Sequence, residues 1–206
     1  MTQECQNTPV QVGQTVPDFE MATYDPTKKD FSKFSLAEAR KAGKWTVLVF
    51  YPADFTFVCA TEFAALAEQY SALKELGAEV LTVSCDTQFT HMAWQRDEGE
   101  LANVTYPMAA DPTGKVARLF GVYLEDQGLA LRGTFIIAPD GKLMGSEVNF
   151  LNLGRNMEEL LRKVTANVHL AKAPGEVCPA TWKKVGDKTL KPGAHMVGKV
   201  HEAMKG

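Results

Sequence analysis

The sequence predicts an α/β sandwich whose sheet mixes parallel and antiparallel strands. Two buried runs and a hairpin carry that prediction. "TVLVFY", from Thr46 to Tyr51, is continuous, apolar and β-branched, the pattern of a strand covered on both faces. "EVLTVSCD", from Glu79 to Asp86, repeats it. "GTFIIAPDGKLMGSEV" reads as two strands joined by the turn Pro139-Asp140-Gly141. Strand, helix and strand, then a hairpin and a helix, stack helices on a sheet.

Each element has its own warrant. After the first run, Phe63, Leu66, Ala67, Tyr70 and Leu73 line one side of a helix, and Gly77 is placed to stop it. "TQFTHMAWQRDE" predicts a second helix with Phe89, Met92 and Trp94 facing inwards. "PMAADPTGK" gives a short strand and a turn. "NMEELLRKVTANVHL" is a clear amphipathic helix. Around Ala173-Pro174-Gly175 the pattern breaks and a turn-rich extension follows. A thioredoxin-like fold, with a mixed central sheet flanked by helices, fits this order, as do other α/β folds. The boundaries expected are residues 1–166 for the α/β domain and 167–206 for the C-terminal extension.

The bulk numbers narrow the function classes. The chain has 206 residues, 45% hydrophobic and 23% charged, ordinary for a soluble domain. A net charge of −3 gives no reason to expect nucleic acid or a membrane surface as a partner. The end is basic, with six lysines after Trp182 against Asp187 and Glu202, and reads as a solvated tail. The first residues, MTQECQNTPV, lack the basic and apolar regions of a secretory signal. No run approaches the roughly 20 apolar residues that span a bilayer. A cytoplasmic location is therefore expected, where thiols stay reduced.

Four cysteines are present: Cys5, Cys59, Cys85 and Cys178. None forms C-x-x-C, and none stands at zinc-ligand spacing from a histidine. His91, His169, His195 and His201 share no ligand spacing either and receive no role. Trp94 and Trp182 read as packing residues, with docking of the extension against a partner subunit the alternative for Trp182. Cys85 lies in a strand and reads as core packing, and Cys5 as an incidental thiol.

Cys59 differs. It stands one turn before the helical periodicity, where unpaired backbone N–H groups and the helix dipole favour an anion. A thiolate is the reactive form of cysteine. Pro52 ends the strand and can wall a pocket. The Thr56 hydroxyl, three residues upstream, can donate to the sulfur or to a bound oxygen. Glu62 is either an ordinary acid of a first turn or a carboxylate that holds an arginine.

Pro52-Ala53-Asp54-Phe55-Thr56-Phe57-Val58-Cys59 has the form P-x-x-x-T-x-x-C and resembles the active-site signature of the peroxiredoxins. "FTFVCATE" is similar to the typical two-cysteine members, which carry a proline where this chain has Ala60. "LRGTFIIAPDGK" resembles the family's arginine-bearing strand, which makes Arg132 the candidate cation beside the thiolate. "GEVCPATW" resembles the motif of the resolving cysteine and contains Cys178. "MVGKV" resembles the closing segment of the bacterial alkyl hydroperoxide reductase peroxidase type. The likeness runs over roughly residues 10 to 200, and three ordered motifs make coincidence very improbable.

The resemblance implies a thiol-dependent peroxidase acting on hydrogen peroxide and organic hydroperoxides, in antioxidant defence. Cys59 would become a sulfenic acid and then pair with Cys178, in the family a partner subunit's cysteine. It implies a homodimer, with pentamers of dimers, reduced by thioredoxin or a flavoprotein disulfide reductase. Arg155 in "LGRNMEE" is a candidate second cation, or a surface residue at a helix start. No organic cofactor or metal is called for, since sulfur carries the electrons. "RDEGELANV" and the tail "HMVGKVHEAMKG" lack the G-G-L-G insertion and Tyr-Phe pair of peroxide-sensitive members. Two other functions compete: a redox-controlled holdase chaperone, and a thioredoxin-like disulfide exchanger. The second is disfavoured because the position three residues after Cys59 is Glu62.

Overall fold

The computed structural model describes residues 8–205. They divide into two compact units, with the division between Met157 and Glu158.

The first unit begins with a hairpin of β1 (Glu20–Asp25) and β2 (Asp30–Ser35), followed by a short helix α1 (Leu36–Lys41). β3 (Trp45–Phe50) is buried at every position, as its unbroken apolar sequence requires. The long helix α2 (Phe57–Glu75) leads to β4 (Ala78–Ser84). Then come α3 (Gln88–Asp97), β5 (Met108–Ala110) and the short α4 (Lys115–Leu119). A small ribbon of β6 (Tyr123–Leu124) and β7 (Leu129–Ala130) precedes the hairpin β8 (Arg132–Ile137) and β9 (Leu143–Asn149).

Seven of these strands form one sheet in the order β2-β1-β5-β4-β3-β8-β9. β3, β4 and β5 are parallel neighbours, linked by α2 and α3, while the outer pairings are antiparallel. The sheet is therefore mixed, as the sequence predicts. One large cluster of buried side chains sits on it, built from Leu48, Phe50, Leu81, Val83, Phe120, Phe135 and their neighbours. Gly77 adopts φ +79 after the last turn of α2 and its N–H donates to the Lys74 carbonyl, the helix stop expected there.

One helix sits in a different register from the expectation. In α3, Trp94 is buried, but Phe89 is 58% exposed and Met92 only half-buried. The inward face instead pairs His91 with Trp94, three residues apart. Phe89 lies two residues from His91, about 200° round the helix, and meets Phe31 edge-on at 5.0 Å.

The second unit contains most of α5 (Met157–Lys172), an extension with a two-way backbone bridge between Val177 and Leu190, and the short α6 (Val200–Met204). No helix among the described residues is long and apolar enough to cross a membrane.

Candidate active site

The centre of the parallel sheet aims its loops at one place. β3 ends at Phe50, and Tyr51 and Pro52 continue it as buried residues. The chain then turns through Phe55, which takes a left-handed φ of +56, uncommon for a side chain of this size. Thr56 is extended at φ −120 and is the N-cap of α2. Cys59 is thus the third residue of the helix, within the turn whose amides have no intrahelical acceptor. The Thr56 side chain leaves those amides uncapped.

The Cys59 thiol is fully buried, and its sulfur accepts from Arg132 Nη1 at 3.4 Å. Arg132 opens β8. Its Nε donates to the Leu151 carbonyl at 2.8 Å, and the same Nη1 donates to Glu62 Oε2 at 2.7 Å. Arg155 takes the rest of that carboxylate. Its backbone N and Nε donate to Glu62 Oε1 at 2.9 and 2.8 Å, and its Nη2 to Oε2 at 2.8 Å. Arg155 Nη1 donates on to the Gly133 carbonyl and Thr134 Oγ1, at 2.9 and 3.2 Å. A Cβ on Gly154 would come within 3.2 Å of Val58 Cγ1, so the small residue before Arg155 lets this loop close on α2.

Glu62, Arg132 and Arg155 are only 4, 3 and 9% exposed. Burial alone would raise the Glu62 carboxyl. The hydrogen bonds and charge of Arg155, with the charge of Arg132, outweigh it and hold the group below the usual glutamate range. Two guanidiniums against one carboxylate leave one positive charge in excess, beside the sulfur. The two sequence readings of Glu62 and the two of Arg155 are thereby separated: neither side chain is a solvated helix-start residue.

Cys178 lies in the second unit, half-buried in the turn-rich segment after α5, and Cys59, Cys85 and Cys178 are all free thiols. Burial raises the Cys178 thiol above the ordinary cysteine value, partly offset by the charge of Arg162 and reinforced by Glu176.

Residues 12–146 match the model of the AhpC/TSA family. The chain belongs to that family. It is 44% identical over 189 residues to alkyl hydroperoxide reductase C of Amphibacillus xylanus, covering 92% of this chain and 98% of the other. The protein of the same name from Staphylococcus aureus is 43% identical over the same length and coverage. Among solved structures, Enterococcus faecalis AhpC superposes with a TM-score of 0.76 at 41% identity, covering 82% of this chain and 98% of that one. The reduced 2-Cys peroxiredoxin of Plasmodium vivax gives 0.84 at 32% identity, with 93 and 100% covered. These neighbours place the sheet and helices in the thioredoxin-like class.

Within this AhpC/TSA frame some expected side chains take other partners. The Thr56 hydroxyl donates to the Ala53 carbonyl at 2.8 Å and not to the sulfur. Its donor is used to close the loop, so only its oxygen lone pairs face other groups. Cys85 is half-buried rather than a full core residue, and burial beside Asp111 and Asp86 pushes its thiol up to about 12. Cys5 lies outside the described residues.

His91, given no role from the sequence, joins a buried network under the Cys59 loop. Its Nδ1 is 2.8 Å from Asp54 Oδ2, and its Nε2 meets the Ala109 carbonyl at 3.1 Å. A carbonyl only accepts, so Nε2 carries a proton. Tyr51 donates to Asp54 Oδ1 at 2.6 Å, and the Asp54 amide donates to Asp86 Oδ2 at 3.0 Å. Asp54 belongs to the P-x-x-x-T-x-x-C segment, so the network ties that segment to β3 and α3. Burial raises the Asp54 carboxyl, and the hydrogen bond and charge of His91 pull it back only in part. The distance of 37 residues between Asp54 and His91 hides this pair from any spacing rule.

Proposed function

We propose that the protein is a thiol-dependent peroxidase that reduces hydrogen peroxide and organic hydroperoxides, with Cys59 as the reacting sulfur. The observation that carries this reading is the unbalanced charge at Cys59: two buried guanidiniums share one carboxylate, and Arg132 Nη1 faces the sulfur. A thiolate completes the neutrality of that cluster. The uncapped first turn of α2 adds to it.

The reaction follows from these parts. The Cys59 thiolate attacks the terminal peroxide oxygen, the O–O bond breaks, and an alkoxide or hydroxide leaves and takes up a proton. Sulfur is oxidised by two electrons to the sulfenic acid. Arg132, buried beside the sulfur, meets the charge that develops on the oxygens, and a fixed donor shielded from water acts most strongly. Pro52, buried two residues beyond β3, would wall the site on this reading. The Thr56 oxygen can accept from a protonated peroxide oxygen while its own hydrogen stays on Ala53. Glu62 and Arg155 position Arg132.

Cys178, carried by the C-terminal extension, then displaces water from the Cys59 sulfenic acid and forms a disulfide. The Cα atoms of such a bridge stand within about 7 Å, and Cys59 is fully buried, so the first turn of α2 must unwind to present its sulfur. Thioredoxin or a flavoprotein disulfide reductase would return the two electrons, in the cytoplasm. A homodimer in which the disulfide crosses between subunits suits the edge strand β9. Among the described residues it has no strand on its outer side, and Met144 and Val148 on it, with Phe150 and Leu153 just after it, are exposed. Exposed Phe31 and Phe89, edge-on at 5.0 Å, offer a second apolar patch for pentamers of dimers.

Non-reducing electrophoresis after one equivalent of peroxide tests the pairing. Wild-type protein should form a linked dimer, lost in Cys59→Ser and in Cys178→Ser and kept in Cys85→Ser. A linked dimer that survives Cys178→Ser would remove that residue from the mechanism.

A further inference from the structure

The second unit holds a cluster that the peroxide chemistry does not use. Arg162 and His169 lie seven residues apart on α5, nearly two turns and about 10 Å along one face. Arg162 is fixed by Glu159, with Nε and Nη2 donating at 2.6 and 2.9 Å, and its Nη1 donates to the Trp182 carbonyl at 3.0 Å. The His169 ring stacks on the Trp182 ring with centroids 5.6 Å apart and planes at 30°. His169 Nε2, shielded from water, lies 3.4 Å from Glu176 Oε2, in ion-pair range but off the line of a hydrogen bond. Glu176 is anchored in turn by Thr189 Oγ1, which donates to Oε2 at 2.8 Å. Val177 and Leu190 exchange backbone hydrogen bonds of 2.9 and 3.0 Å. Cys178 falls between Glu176 and Trp182, so α5 grips its segment at both ends.

We propose that His169 is a positioning residue for Cys178, holding the segment on α5 through Trp182 and Glu176 and holding it more firmly when protonated. This rests on the reading of Cys178 as the resolving thiol. A proton on Nε2 turns the approach to Glu176 into an ion pair, and an imidazolium over an indole face is a cation–π contact. Both contacts strengthen together. The charged and titratable groups of the cluster are Glu159, Arg162 and His169 from α5, and Glu176, Cys178 and Lys191 from the extension. Hydrogen bonds from Arg162 and from Thr189 hold Glu159 and Glu176 below the usual carboxylate range, so both stay charged near neutrality. Burial raises Cys178 above its ordinary value. Histidine is the side chain whose ordinary titration lies between about pH 5 and 8. The grip is therefore stronger with the imidazole protonated and weaker with it neutral, the neutral form freeing Cys178 to reach the sulfenic acid.

Hydrogen exchange of residues 176–190 in the reduced full-length protein tests this, corrected for intrinsic rates between about pH 5.5 and 8. Wild-type protection should rise about threefold toward the acid end, the scale of one partly exposed ion pair. His169→Phe keeps a stacking ring without the charge and should show no such rise. Glu176→Gln keeps the histidine and should flatten the profile independently. After peroxide, disulfide formation in wild type should slow with acid more steeply than in His169→Phe, the titration of Cys178 being common to both. A wild-type profile without the acid rise, or the same rise in both variants, would overturn the proposal. Loss of the disulfide in Cys178→Ser tests the resolving role separately, whatever His169 does.

Discussion

Cys59 and Glu62, three residues apart on α2, share a single nitrogen: Arg132 Nη1 donates to the sulfur at 3.4 Å and to Glu62 Oε2 at 2.7 Å. The carboxylate thereby sets where the cation stands relative to the thiol. Replacing Glu62 by Gln keeps the shape and removes the charge between two buried guanidiniums. Breaking a buried ion pair by removing one partner costs about 3–5 kcal/mol. Urea unfolding of Glu62→Gln should show a loss of that size, with a slower reaction with peroxide.

Glu62 also shapes the acid limb of stability. Its folded carboxyl titrates below the ordinary 4.5, so its contribution is full above that value and disappears as pH falls through the depressed one. Asp54 has the opposite sign. Burial raises it above 3.8, so its contribution is full in acid and erodes as pH rises through the raised value. The stability gap between wild type and Glu62→Gln should therefore narrow as pH falls below 4.5. A gap independent of pH would mean that the carboxylate charge does not stabilise the cluster.

Thr56 closes the loop through its hydrogen bond to Ala53. Thr56→Val removes the donor at nearly constant shape and should cost about 1 kcal/mol in thermal or urea unfolding. Thr56→Ser should restore most of it. If Val and Ser variants unfold alike, the hydroxyl is not what holds the turn.

How far these features were legible depends on the range of the interaction. β3 and β4 could be read because a strand covered on both faces has to be apolar throughout. β1 and β2 carry no such mark: in Asp30–Ser35 only Phe34 is fully buried, and the rest reads as polar loop. The position of Cys59 at a helix start was visible because the cue is local. The contact between Glu62 and Arg155 spans 93 residues, so spacing alone left both side chains open to a surface reading. Apolar character argues for an inward Phe89, whereas the buried side of α3 is decided by the polar His91 and its partner Asp54. Thr56 differs in another way: the sequence offers its hydroxyl to the sulfur or a bound oxygen, but a nearer acceptor, the Ala53 carbonyl, takes its hydrogen.

The absence of "GGLG" and of a Tyr-Phe pair from the sequence bears on damage. In the peroxide-sensitive members of the family that the sequence resembles, these features hinder the unfolding that brings the two cysteines together; without them the first turn of α2 should open readily and Cys178 should reach the sulfenic acid before a second peroxide does. Intact mass after turnover with excess peroxide should show little Cys59 sulfinic acid. Abundant sulfinic acid at a small excess would contradict this.

The most direct measurement is the second-order rate of the reduced protein with hydrogen peroxide in Cys59 alone, with Cys5, Cys85 and Cys178 replaced by serine, against the same protein carrying Arg132→Lys. Lysine cannot reach the Leu151 carbonyl, Glu62 and the sulfur together, and removal of one fixed donor of this kind lowers rates about 100- to 1,000-fold. The account predicts a reaction far faster than that of a small thiol in water, and a loss of that order in the lysine variant. A parent rate no greater than that of free cysteine, or one unchanged by Arg132→Lys, would contradict it.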